Sequence, residues 1–404
     1  MNILFLTLLD FKSLRDRNIY TDLLREFVNY GHNVYVISPV ERRNGIDTHV
    51  IKEENAIILK LKIGNTQKTN IIEKGISTIT IESRFISGIK KYFDSIRFDL
   101  VLYSTPPITF CNAINYIKKR DKAATYLLLK DIFPQNAVDL GMLSKKGIKG
   151  FLYRYFRKKE KKLYKISDRI GCMSQANLDY VLKNNPEIPS EKVEICPNCI
   201  EIIDKSVDGF ERNMIREKYN IPLNKTVLVY GGNLGKPQGI HFLIECVNSQ
   251  RMNDDVFFLI VGGGTEFPML EQFVNQSMQN NVRLMKQIPK DDYDTLVGAC
   301  DIGMIFLDYN FTIPNFPSRL LSYMQAKVPV LAVTDINTDI GKIIVDGGFG
   351  WWCESNDVGA FCRCVNECLK QIRDDYIAIK EREYAYLQEH YDVKHYVSKI
   401  IDVV

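Results

Sequence analysis

Short apolar runs alternate with longer amphipathic stretches along almost the whole chain. In the first half the runs Asn2–Leu8, Asn33–Ser38, Ala56–Ile63, Leu100–Ser104, Thr125–Leu129, Arg169–Met173 and Val193–Cys196 read as strands. Their near-continuous hydrophobicity suits a parallel sheet covered by helices on both faces. Ile19–Tyr30 is an amphipathic helix stopped by Gly31, and Phe85–Phe93 carries a one-sided aromatic stripe. Gly64–Ser87 has mixed polarity and reads as a strand-and-loop excursion. Periodicity fades between Pro197 and Pro222 and then restarts with Val227–Tyr230, Val256–Val261, Val282–Lys286, Ile302–Phe306, Val328–Val333 and Phe349–Trp352. After Ala360 the pattern is helical to Val404.

This pattern predicts an α/β protein of two Rossmann-like domains facing a central cleft, where ligands of such sheets bind. The expected division is 1–200, a linker at 201–222, a second domain at 223–375, and helices at 376–404 that cross back to the first domain. A length of 404 residues exceeds one ordinary core and agrees with two.

Composition adds little until charge is mapped. Met1–Leu9 is apolar but lacks a basic flank and runs into Asp10, so it reads as a first strand and not as a leader or span. The expectation is a protein made in the cytoplasm. The ten cysteines read as reduced, buried thiols, because neither Cys196-Pro-Asn-Cys199 nor the Cys362, Cys364, Cys368 group has a partner pair at zinc-site spacing. The formal charge of +4 hides one dense patch. Between Lys145 and Lys165 ten basic residues face the single carboxylate Glu160, leaving the rest of the chain net acidic. Ile148, Phe151, Leu152, Tyr155, Phe156, Leu163 and Tyr164 are interleaved with those cations. A basic amphipathic helix of this kind suits an anionic membrane surface, and no nucleic-acid motif accompanies it.

Candidate chemistry lies at the ends of strands. Tyr230-Gly-Gly-Asn-Leu-Gly-Lys-Pro-Gln-Gly-Ile240 follows one strand and opens a helix, so Gly232, Asn233, Gly235, Lys236 and Gln238 fit either a phosphate-holding loop or a tight turn. Gly263 and Gly264 end the next strand with the same two readings. A third segment, Phe311 to Val333, places Ser318, Arg319 and Ser322 where Pro317 is expected to open a short helix; an arginine at a helix start attracts anions. Asp308 and Asp335 follow strands and suit sugar hydroxyls or capping. Asp292-Tyr-Asp294 has a metal-transferase spacing but sits where carboxylates favour a helix start, so no metal is assigned. In the first half, Lys130 and Asp131 end a buried strand, a suitable place for a catalytic or acceptor-orienting carboxylate.

Together these segments resemble the family-four glycosyltransferases, retaining enzymes of the GT-B fold. The likeness is carried by Tyr30-Gly-His-Asn-Val-Tyr-Val-Ile37, Asp131-Ile-Phe-Pro134, Gly232-Asn-Leu-Gly235 with Gln238-Gly239, Val261-Gly-Gly-Gly264, and Pro317-Ser-Arg-Leu-Leu-Ser-Tyr-Met324. It is nearest to members that build bacterial O-antigen or capsule. The resemblance implies a nucleotide-diphosphate sugar donor, UDP being the expected nucleotide, bound mainly by the second domain. The acceptor, a lipid-diphosphate-linked glycan, would bind the first domain, on the cytoplasmic face of the cell membrane, with no cofactor required. Arg319, Lys236 and the helix starts would stabilise the leaving diphosphate. The family's paired glutamates fall on Pro314 and Ser322, and the family histidine of the first domain is replaced by Lys130-Asp131. A nucleotide-sugar epimerase of the same fold and an inactive scaffold of a polysaccharide assembly are the alternative readings.

Overall fold

The computed structural model describes residues 1–65 and 71–404. Two parallel sheets account for the apolar alternation. The first holds β1 (Asn2–Leu6), β2 (Asn33–Glu41), β3 (His49–Glu53), β4 (Ala56–Ile63), β5 (Leu100–Ser104), β6 (Ala124–Leu129), β7 (Arg169–Cys172) and β8 (Val193–Ile195), in the order β3-β4-β2-β1-β5-β6-β7-β8. All neighbours are parallel except β3 with β4. The second holds β9 (Thr226–Asn233), β10 (Val256–Gly263), β11 (Val282–Lys286), β12 (Ile302–Phe306), β13 (Val330–Thr334) and β14 (Gly350–Glu354), in the order β11-β10-β9-β12-β13-β14. Central strands such as Leu100–Ser104 and Val330–Thr334 are buried along their whole length, which is why they read as unbroken apolar runs.

The chain divides into Met1–Glu201 with Val393–Val404, and Ile202–Asp392. Three boundaries differ from the sequence expectation. The expected linker contains a helix, Gly209–Lys218, whose Arg216 is fully buried and bonded to Asp301, so this stretch is part of the second unit. The return to the first unit begins at Val393 and not at 376, because Ile379 packs in the core of the second sheet while Val393, Val397 and Ile400 pack in that of the first. The excursion expected at Gly64–Ser87 is largely a helix, Ile71–Tyr92, with residues 66–70 lying outside the described residues. Strand β3 had no counterpart in the reading. Among the described residues no helix is long and apolar enough to cross a membrane.

The helix Val358–His390 carries one costly group. Glu383 is fully buried, and among the described residues no donor reaches either carboxylate oxygen. Burial pushes its pKa well above the ordinary value, opposed only by the charge of Lys380. The folded chain therefore holds this carboxyl neutral, while the unfolded chain ionises it above about pH 4.3. Stability must fall as pH rises from there through the folded value, by about 1.4 kcal/mol per unit. Glu383→Gln is expected to abolish that slope and to raise stability at pH 7 by about 1–3 kcal/mol. Urea unfolding at several pH values checks it; parallel stability curves for the two proteins would refute it.

Candidate functional site

The second unit gathers its glycines for two different reasons. Strand β9 ends in the loop 231–239, and its backbone is clamped to the end of β10. Leu234 donates its N–H to the Gly263 carbonyl at 3.0 Å, and Glu266 donates to Leu234 at 2.9 Å. A Cβ on Gly262 would lie 2.0 Å from the Gly232 carbonyl oxygen, and one on Gly264 would lie 2.3 Å from that of Leu234. Those two glycines let the loops touch. Gly263 has open space instead, and so remains a candidate for ligand approach.

The polar residues of the loop also divide. Asn233 donates Nδ2 to Gln238 Oε1 at 3.0 Å, and the Gly235 N–H reaches the same oxygen at 3.3 Å. Gln238 is buried, so the pair fixes loop shape and leaves Lys236, which is exposed, as the loop's cation. Gly239 adopts the left-handed region at φ 56° and opens the helix Ile240–Ser249.

Arg319 is the centre of the arrangement. Its guanidinium lies 4.4 Å from the ring centroid of Tyr230, a stacked cation–π contact. Tyr230 is itself fixed, donating its hydroxyl to the Asn233 carbonyl at 2.8 Å. A Cβ on Gly232 would sit 3.9 Å from Arg319 Nη2, so the arginine lies against the glycine loop. Arg319 Nη1 is buried and, among the described residues, has no hydrogen-bond partner. Tyr323 completes the support, donating to the Met304 carbonyl at 3.0 Å. Tyr293 fills the space beside Gly231, where a Cβ would overlap its hydroxyl. A held guanidinium with an unspent donor is chemically suited to an anion.

The helix behind Arg319 is shorter than expected, Arg319–Gln325, and starts after Pro317. The Leu320 and Leu321 N–H groups already reach the Pro317 and Ser318 carbonyls at 3.3 and 3.1 Å. The anion attraction expected of a helix start therefore rests on the Arg319 side chain. Ser318 is exposed and Ser322 half-buried. The loop before them is tied from behind, since Asn337 donates to the Phe311 carbonyl at 2.5 Å and Thr338 to that of Asn315 at 2.6 Å. Asp335, fully buried, holds that turn by accepting the Asn337 and Thr338 N–H groups at 2.8 and 3.1 Å. Asp308 is likewise turned inward on its own loop, accepting from Asn310. Asp294 pairs with Lys205 and Lys290, and no metal-holding cluster occurs among the described residues. None of the ten cysteines is in a disulfide.

In the first unit the adjacent charges at the end of β6 part company. Lys130 Nζ donates to the Cys196 and Pro197 carbonyls at 3.3 and 3.1 Å, and burial lowers its pKa. It clamps the chain beyond β8, which does not fit the catalytic role expected of it. Asp131 faces differently. Thr105 pins its backbone, accepting from the Asp131 N–H at 3.2 Å and donating to its carbonyl at 2.9 Å. Oδ2 accepts from Asn136 at 2.7 Å, while Oδ1 is buried and, among the described residues, has no hydrogen-bond partner. Burial pushes this carboxyl up to about 6, against the Ile132 amide and Asn136, which lower it. A carboxylate titrating near neutrality at a strand end suits proton handling or hydroxyl orientation. Sequence reasoning missed Tyr230, Tyr293 and Asn136, since apart from Tyr230 beside its glycines no local spacing marks them, whereas for Asp335 it offered capping or sugar contact and the structure shows the capping.

Two sheets of mainly parallel strands, a glycine loop and an arginine over Tyr230 define a two-unit α/β protein. The fold is GT-B: sucrose-phosphate synthase from Thermosynechococcus elongatus covers the whole chain at TM-score 0.76 and 13% identity, with 98% of its own chain matched. WaaG, a glycosyltransferase of lipopolysaccharide biosynthesis, covers it at TM-score 0.67 and 14% identity, with 99% matched. The description "Glycosyl transferases group 1" matches residues 211–385. The probable glycosyltransferase WbjE of Pseudomonas aeruginosa is 25% identical over 76% of this chain and 74% of its own. The putative colanic acid biosynthesis glycosyl transferase WcaI of Escherichia coli K12 is 24% identical over 69% and 68%. Residues 211–385 match the group 1 glycosyltransferases, and the chain as a whole is similar to glycosyltransferases of the GT-B fold.

Proposed function

We propose that this glycosyltransferase moves a sugar, with retention, from a UDP-sugar to a lipid-diphosphate-linked glycan during assembly of a bacterial surface polysaccharide. The observation that carries the reading is Arg319, stacked on Tyr230 against Gly232 with Nη1 unpartnered. It meets the leaving diphosphate, with Lys236 as the second cation; stabilising charge that develops in the transition state is the largest expected contribution to rate. HepE of Anabaena, which shares the fold at TM-score 0.72, has been solved with UDP-glucose. Ser322 and Gly263 are left for the ribose and base, and Asp131 orients the acceptor hydroxyl. Calorimetric titration with UDP, UDP-glucose and UDP-N-acetylglucosamine, followed by label transfer into lipid extract, tests the reading. Absence of UDP binding would end it, and donor isomerisation without lipid would favour an epimerase.

The helix Gly147–Ile166 supports work at a membrane surface. Its second half turns Leu163 and Tyr164 into the core, and Phe156 packs on Phe133. Its first half exposes Ile148 (90%), Phe151 (70%), Leu152 and Tyr155, spaced i, i+3, i+4, i+7 on one face. Lys145, Lys149, Arg154 and Lys158 surround them, all exposed. Apolar side chains entering the lipid boundary gain about 1.5–3 kcal/mol each, and each nearby cation about 1 kcal/mol. Ile148→Ser with Phe151→Ser is expected to weaken binding to phosphatidylglycerol vesicles at least tenfold, roughly one apolar anchor's worth. Unchanged co-sedimentation would remove the membrane role.

A further inference from the structure

Asp131 has a neighbour whose chemistry matches its own. Asn136, on the short helix Gln135–Asp139, gives its Nδ2 to Asp131 Oδ2 at 2.7 Å and is held in turn by its N–H on the Ile132 carbonyl at 3.0 Å. Asn136 Oδ1, like Asp131 Oδ1, is a buried oxygen without a donor. The two side chains are thus locked together by one bond and leave two acceptor atoms unspent. They cannot satisfy each other while Asp131 is ionised, since neither oxygen carries a proton. Among the described residues no cation is bonded to them: the Lys130 ammonium is turned onto two backbone carbonyls, and Arg157 is bonded to Glu160 and Asn185. Glu160, on the helix Gly147–Ile166, is the other carboxylate whose charge is felt at Asp131; it accepts from Arg157 and Tyr164.

We propose that Asn136 is a positioning residue for the acceptor, forming with Asp131 a two-oxygen receptor that takes a neutral, hydroxyl-bearing sugar and turns away an anionic one. The inference rests on the reading of Asp131 as the acceptor-orienting carboxylate. A sugar hydroxyl brings the missing O–H, whereas a uronate or phosphate at the same point brings more acceptor lone pairs and a like charge. Asn136 acts through Asp131 as well, because its N–H favours the ionised carboxylate.

Saturation-transfer NMR on the full chain with UDP present tests this, using methyl glucoside and methyl glucuronide as probes. Transfer to the glucoside and little to the glucuronide is expected. Glucoside binding should fade as pH falls through about 6. In Asn136→Ala binding should weaken roughly tenfold, the worth of one lost hydrogen bond to a charged group, and the acid limb should move to higher pH. Asn136→Asp, which keeps the shape and adds a like charge, should move the limb further. Glucuronide binding equal to glucoside, no glycoside binding in the parent protein, or Asn136 variants with unmoved affinity and pH limb would each overturn the proposal. Loss of binding in Asp131→Asn with unmoved Asn136 variants would overturn this inference alone. Unaltered binding in Asp131→Asn would remove the underlying reading of Asp131.

Discussion

Arg319→Ala is expected to weaken UDP binding roughly 30- to 700-fold, the worth of about 2–4 kcal/mol for charge-assisted bonds to a diphosphate. The size follows from how the guanidinium is held. It lies over the Tyr230 ring at 4.4 Å from the centroid, so little side-chain freedom remains to be lost on binding. Its unpartnered Nη1 is a donor whose desolvation has already occurred in the free chain. Arg319→Lys should recover little, since an ammonium keeps the charge but neither the planar fork nor the stack. The same geometry sets a second, opposite expectation. A donor left unspent destabilises the fold that holds it, so removing Arg319 should not lower the melting temperature of the ligand-free protein. Calorimetric titration with UDP and thermal melts of the same samples measure both. Unchanged affinity would take Arg319 out of the diphosphate site. Lost affinity with a large fall in melting temperature would make Arg319 a structural residue.

Much of this was legible in the chain. Buried parallel strands announce themselves as apolar runs because both their faces are covered, and Arg319 was visible because proline, serine and arginine share one short segment. What escaped depended on partners distant in sequence. Ile71–Tyr92 is rich in isoleucine and threonine, which favour strands, and its helix is set by packing of Phe85 and Ile89 in the core. Lys130 and Asp131 are adjacent in the sequence, oppositely charged and equally plausible as site residues. Only the carbonyls of Cys196 and Pro197 show that one is a clamp, and only Asn136 shows that the other spends a single carboxylate oxygen on a side chain. The glycines misled in the same way, since Gly264 serves the neighbouring loop and not a ligand.

The stretch 201–222 carries the same lesson and the largest expected loss of stability. Arg216 is fully buried and spends its whole guanidinium: Nε on the Ala299 carbonyl at 2.7 Å, Nη1 on those of Pro222 and Lys225 at 3.1 and 3.0 Å, and Nη2 on Asp301 at 2.6 Å. Asp301 in turn accepts the Val227 N–H at 2.7 Å and Arg212 at 3.0 Å. These bonds fasten the helix Gly209–Lys218 to the start of β9 and to the approach to β12, so a segment polar enough to read as a linker is a structural member of the second unit. Arg216→Met fills similar space but strands three carbonyls and takes from Asp301 its fully buried partner, leaving it Arg212 and the Val227 N–H, at a cost of about 3–5 kcal/mol. For a unit of this size that is a fall of roughly 10 °C in its unfolding transition. Adding Asp301→Leu should cost less than a second such loss, because the buried charge is then gone. Scanning calorimetry of the three proteins decides the matter. A shift under about 3 °C for Arg216→Met, less than one kcal/mol's worth, would mean the network is dispensable and the stretch is a linker after all.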